Sequence, residues 1–145
     1  MKSLWFGILA TLLLASCSSY QRDFKKTQLN ILTPSPAGPW KGTWKSKVNG
    51  HHGPLWCIIT EDPSQPDTYN FRYRAGWGVL QFGDYTHRIA TKEKNGFLPL
   101  NHSMTLPKNF GTYRIKGQVT PGKFECFFEG NGDKGTMILT RPQAW

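Results

Sequence analysis

The sequence predicts an all-β fold: a small antiparallel β-barrel of eight or nine strands, with a two-sheet β-sandwich as the alternative. Three observations predict it. Apolar and polar residues alternate with period two from Gly38 onward, 15 Gly and 10 Pro interrupt that alternation, and no sustained 3.6-residue period appears. Aromatic residues make up 14% of the 145-residue chain, enough rings for the core of one modest domain. Charged residues are only 19%, and no apolar run reaches the roughly 18 residues of a spanning helix, which disfavours a polytopic helical membrane protein.

Two segments precede the strands. Lys2 and the apolar stretch from Leu4 to Leu14, closed by the small residues Ala15 and Ser16, read as a secretory signal over residues 1–16. Leu14-Ala15-Ser16-Cys17 resembles the bacterial lipobox. That resemblance implies a lipoprotein whose mature chain begins at Cys17, carries palmitate-type acyl chains there, and is held to a membrane of the cell envelope. Ser18 and Ser19 after the cysteine imply the outer membrane, facing the periplasm. Residues 17–37 hold Arg22, Lys25, Lys26, Pro34 and Pro36 without alternation and read as a flexible tether, leaving residues 38–145 for the barrel.

In the first strand Trp40, Gly42, Trp44 and Ser46 fall on one face and Lys41, Thr43, Lys45 and Lys47 on the other. A turn from Asn49 to Gly53 leads to Leu55, Cys57 and Ile59, which alternate with Trp56, Ile58 and Thr60. After the Pro63 to Asp67 turn, Tyr69, Phe71, Tyr73 and Ala75 oppose Asn70, Arg72 and Arg74, the cleanest alternation in the chain. Gly76 and Gly78 permit a bend or bulge before a strand from Val79 to Phe82. Tyr85 to Thr91 and Phe97 to Leu106 are less regular strands. Tyr113, Ile115, Gly117 and Val119 then face inward, Thr120-Pro121-Gly122 turns the chain into Phe124, Cys126 and Phe128, and a Gly130 to Asp133 turn leads to Met137, Leu139 and Arg141.

Gly42-Thr43-Trp44 in the first strand and Arg141 near the end of the last resemble the Gly-x-Trp and C-terminal Arg of the calycins, the lipocalin-containing superfamily of barrels. The resemblance implies that Arg141 packs across Trp44 and closes one end of the barrel. Gly50-His51-His52-Gly53, Tyr73-Arg74-Ala75 and the closing Leu139-x-Arg141 resemble small bacterial lipoproteins of this shape, and carry no activity with them.

Trp40, Tyr69, Phe71, Tyr73, Tyr113, Phe124 and Phe128, with Trp44, form the inward aromatic set that lines a pocket for a small apolar ligand or fills the interior. Cys57 and Cys126 sit at inward positions and are either the pair for a disulfide in an oxidising compartment or two small buried thiols that never meet. The spacing of His51, His52, His87 and His102 supports no metal cage, and Asp84, Glu125 and Glu129 form no acid–base pair. With no nucleophile elbow or phosphate loop, the chemistry points to a non-catalytic protein without a cofactor.

The charge of +9 falls to +8 once Lys2 is removed, and Lys41, Lys45, Arg72, Arg74, Arg114 and Lys116 face outward. That balance suits anionic surfaces, while no recognition motif for nucleic acid accompanies it. The function expected is a membrane-anchored carrier of a small apolar molecule; the alternative is a structural lipoprotein with a filled barrel that contacts an envelope protein or an anionic surface.

Overall fold

The computed structural model describes residues 19–29, 31, 35–105 and 111–143. Eight strands run through them: β1 Gly38–Ser46, β2 His52–Glu61, β3 Thr68–Trp77, β4 Leu80–Ala90, β5 Leu98–Thr105, β6 Thr112–Val119, β7 Lys123–Gly130 and β8 Asp133–Thr140. They form one antiparallel sheet in the order β4-β3-β2-β1-β8-β7-β6-β5. Two four-stranded meanders are therefore joined by the β1–β8 ladder, in which Gly42 opposes Leu139 and Trp44 opposes Met137.

The sheet folds back on itself. In a flat sheet with strands about 4.8 Å apart, β3 and β7 would lie roughly 19 Å from each other. Tyr73 of β3 and Phe124 of β7 instead have ring centroids 6.4 Å apart, and His87 of β4 meets Tyr113 of β6 at 5.3 Å. One buried cluster takes residues from all eight strands, including Trp40, Leu55, Phe71, Ile89, Leu100, Ile115, Phe124 and Leu139. Inward and outward positions follow the sequence alternation because a curled antiparallel sheet has one dry face and one wet one.

The expected closure of the barrel is not complete. β4 and β5 are the two ends of the sheet, and no ladder joins them among the described residues. Side chains span the gap in its place: the Thr91 hydroxyl donates to the Pro99 carbonyl, and His87 reaches Tyr113 past β5. The two short strands expected over 79–82 and 85–91 are one strand, β4, with a register shift opposite Tyr73 and Ala75. Gly83 at φ +82° accommodates the extra residue, a left-handed conformation that glycine adopts without a Cβ penalty.

The tether is also corrected. Residues 19–28 form a helix, α1, lying on the outer face of the sheet. Tyr20 and Phe24, one turn apart, are buried against Ile58 and Trp56 in a second apolar cluster. The Tyr20 hydroxyl donates to the Arg72 carbonyl at 3.1 Å, and the Arg72 guanidinium stands 5.0 Å from the Tyr20 ring centroid. Arg72 binds Asp23 of α1 at 2.9 Å and Asp84 of β4 through two bonds of 2.6 Å. Arg74 is only 4% exposed. These two cations, expected to be solvated, are docking groups for α1; the sequence signal was the Tyr20/Phe24 pair with Lys25 and Lys26 at the helix C-terminal end.

Candidate functional site

The interior divides into a packed end and a hollow end. β1, β3, β5 and β7 enter or leave so that residues 35–40, the β2–β3 and β6–β7 turns and Arg141 share one end, while the β1–β2, β3–β4 and β7–β8 turns share the other.

At the packed end Trp40 is fully buried, and its indole Nε1 donates to the Pro36 carbonyl at 3.0 Å. Its ring meets Phe124 edge-on at 6.1 Å, and Phe124 meets Phe71 at 5.8 Å. Arg141 covers the stack, its guanidinium carbon 4.0 Å from the Trp40 centroid. Nη1 donates to the Pro39 carbonyl at 3.1 Å and Nη2 to those of Ala37, at 2.9 Å, and Ser35. Burial lowers the Arg141 pKa to about 10, so the guanidinium stays charged at neutral pH. The expected pairing of Arg141 with Trp44 is thus replaced by one with Trp40. Two Gly-x-Trp units stand in tandem, Gly38-Pro39-Trp40 and Gly42-Thr43-Trp44, and only the β1–β8 register distinguishes them. Lys41 opposes Thr140, which brings Trp40 to Arg141, and Trp44 lies one layer further in.

At the hollow end a cavity of about 600 Å³ is walled by Trp44, Leu55, Tyr85, Met104, Tyr113, Phe128 and Met137, with His87 and Ala75 at its side and Asn131 and Asp133 at its rim. Of the aromatic set read from sequence, Tyr113, Phe128 and Trp44 face this space. Trp40, Phe71 and Phe124 fill the packed end with Tyr69 buried on the same face, and Tyr73 lies between the two. Tyr85, His87 and Met104 were missed as wall residues; their alternation in two irregular strands was the available signal. The Trp44 indole donates to the Gly76 carbonyl at 2.9 Å, which ties β1 to the β3 end.

His87 is 4% exposed and ringed by aromatic neighbours, Tyr73 at 5.5 Å, Tyr85 at 5.3 Å and Tyr113 at 5.3 Å. Its Nδ1 is buried without a hydrogen-bond partner. Burial lowers its pKa to about 4, and the charge of His102 acts in the same direction. The unfolded imidazole binds a proton below about 6.5 and the folded one only below about 4, so stability falls as pH drops through that window. The tyrosines that face His87 do not titrate in this range. A loss of up to about 3 kcal/mol between pH 7 and 4 is expected from urea midpoints; a His87→Phe variant should flatten that part of the profile. An equal slope in the variant would assign the acid sensitivity elsewhere.

Of the two alternatives for Cys57 and Cys126, a disulfide or two buried thiols, the structure has the second: both are buried free thiols. Burial pushes both upward, Cys126 to about 12, so neither is a thiolate at neutral pH. Cys17 lies outside the described residues. No group of three or more His, Cys, Asp or Glu is placed to hold a metal ion among the described residues. A separate groove of about 540 Å³ runs between α1 and the sheet, where Lys25, Lys41 and Arg74 gather beside Gln21 and Gln81.

Comparison with protein-family models, with curated proteins and with solved structures finds no match to this chain.

Proposed function

We propose that this chain is an acylated envelope lipoprotein whose wrapped sheet carries a small apolar molecule. The observation that carries the reading is the hollow end. Its volume of about 600 Å³ is that of a ligand site, its walls are mainly aromatic and thioether side chains, and no Lys or Arg lines it among the described residues. The closed end supports a calycin-like plan, because Gly38-Pro39-Trp40 under Arg141 has the form of the Gly-x-Trp and Arg closure. The lipobox at Leu14-Ala15-Ser16-Cys17 supplies the anchor.

The test uses the full chain purified from its own membrane. Native mass spectrometry is expected to show a retained small molecule, and the neutral dye N-phenyl-1-naphthylamine is expected to quench Trp44 on refilling the emptied protein. Met104→Trp places a large ring in the cavity and should weaken dye binding at least tenfold without lowering the thermal midpoint by more than a few degrees. Cys17→Ala should abolish labelling by a clickable fatty acid. Equal dye affinity in wild type and Met104→Trp, with no retained molecule, would leave the filled-barrel alternative.

A further inference from the structure

The groove between α1 and the sheet is where two regular patterns of polar residues meet. On the sheet, Lys41 of β1 opposes Trp56 of β2, and Trp56 opposes Arg74 of β3. Directly opposed residues of antiparallel strands point to the same face, so these three side chains form one cross-strand row on the outer surface. With strands about 4.8 Å apart, the two cations are rooted roughly 10 Å from each other with the indole between them. On α1, Gln21, Lys25 and Gln28 recur at i, i+4 and i+7, a polar stripe beside the buried Tyr20 and Phe24. Packing of that aromatic pair against Ile58 and Trp56 brings the stripe to the row, and all six residues line the groove of about 540 Å³.

The electrostatics of this space are one-sided. No Asp or Glu lines it among the described residues. The carboxylates that α1 and β4 contribute to this side of the sheet, Asp23 and Asp84, are both held by Arg72. Lys25 and Lys41 are exposed, and neither has an ion-pair partner among the described residues. Arg74 is only 4% exposed, with its guanidinium 5.9 Å from the Tyr20 ring centroid, so positive charge extends into the depth of the groove. There it is screened less by water than a surface cation and attracts an anion more strongly.

Each residue type selects a different part of a ligand. An ammonium group is a compact charge that binds phosphate oxygens. A primary amide presents donor and acceptor side by side and so pairs with hydroxyl groups. The half-buried Trp56 indole offers a flat apolar surface on which the C–H face of a sugar ring can pack. We propose that this groove is a second ligand site that binds a phosphorylated sugar. Lys25 and Lys41 neutralise the phosphate, the Gln21 and Gln28 amides hold hydroxyl groups, and the ring lies over Trp56. The site is on the outer face of the sheet, separate from the hollow-end cavity, and does not depend on the carrier reading.

The experiment uses the full chain in octaethylene glycol monododecyl ether, a detergent without a sugar headgroup, and isothermal titration calorimetry. Glucose 6-phosphate is expected to bind saturably, with glucose about tenfold weaker and inorganic phosphate about threefold weaker. Lys25→Gln/Lys41→Gln should weaken glucose 6-phosphate about tenfold with an unchanged thermal midpoint, and Lys41→Gln alone about threefold. Lys45→Gln, exposed on the same strand but outside the groove, should leave the affinity within about twofold of wild type. Glycerophosphoinositol, the deacylated headgroup of a lipid, is the second probe. Tighter binding than glucose 6-phosphate assigns the site to a lipid headgroup, and weaker binding to a free phosphomonoester. No saturable binding of either probe up to about 10 mM overturns the proposal. So does equal affinity for glucose and glucose 6-phosphate, equal affinity for inorganic phosphate and glucose 6-phosphate, or a loss in Lys45→Gln as large as in Lys25→Gln/Lys41→Gln. Uptake of N-phenyl-1-naphthylamine by the same variants should stay at the wild-type level, so failure of either site is read separately from the other.

Discussion

Trp40→Ala is expected to cost about 3–5 kcal/mol of unfolding free energy, measured by urea titration followed by circular dichroism, and Trp44→Ala clearly less. Truncating Trp40 removes a fully buried ring, leaves the Pro36 carbonyl without its indole donor, and strips the Arg141 guanidinium of the face it covers. Nothing nearby can collapse into the space, because Phe124 and Phe71 are locked against each other and against the strands behind them. Trp44 is half-buried on the wall of an existing cavity, so its removal enlarges a space already present. A double-mutant cycle between Trp40 and Arg141 should return a coupling of about 0.5–2 kcal/mol. A larger loss for Trp44→Ala than for Trp40→Ala would return the closing role to the second Gly-x-Trp unit.

Gly42→Ala is expected to be at least as damaging, more than about 4 kcal/mol, so that little folded protein accumulates. A Cβ at this position would lie 1.9 Å from the Ile138 carbonyl oxygen and 2.6 Å from the Leu139 Cα. Both are backbone atoms, and they move aside only if β1 and β8 separate. That ladder is the one joining the two meanders, so its loss opens the core between them. Gly122→Ala is the control: its Cβ meets nothing within 4 Å and should change stability by no more than about 0.5 kcal/mol. Soluble expression and the thermal midpoint of the two variants check the contrast. A Gly42→Ala protein melting near wild type would mean that β1 and β8 run further apart than this register requires.

The resemblance names Gly42 for one reason and the structure gives it another. It was expected as part of the Trp44 motif, whereas its absent side chain lets the β8 backbone pass. A similar division applies to the inward aromatic set. Alternation placed Trp40, Phe71, Tyr73, Phe124 and Phe128 on the dry face, because a side-chain period of two is a local property of an extended backbone. Alternation carries no information about depth along the strand, so it did not separate rings that fill the packed end from those that wall the cavity.

What the sequence determined by itself is local: the all-β class, the faces of β1, β2, β3, β6, β7 and β8, and the turns between them. Each is written in neighbouring residues, through alternation or through glycine and proline chemistry. Four things were decided by tertiary structure: which Gly-x-Trp unit lies under Arg141, that the sheet stays unzipped between β4 and β5, that Cys57 and Cys126 are buried free thiols, and that α1 docks where a tether was expected. Each depends on distant segments meeting in a particular register, as Arg141 does with Trp40 and Asp23 with Arg72. A shift of a strand by two residues keeps every side chain on its own face while changing all its partners, so the periodicity of one sequence cannot encode that choice.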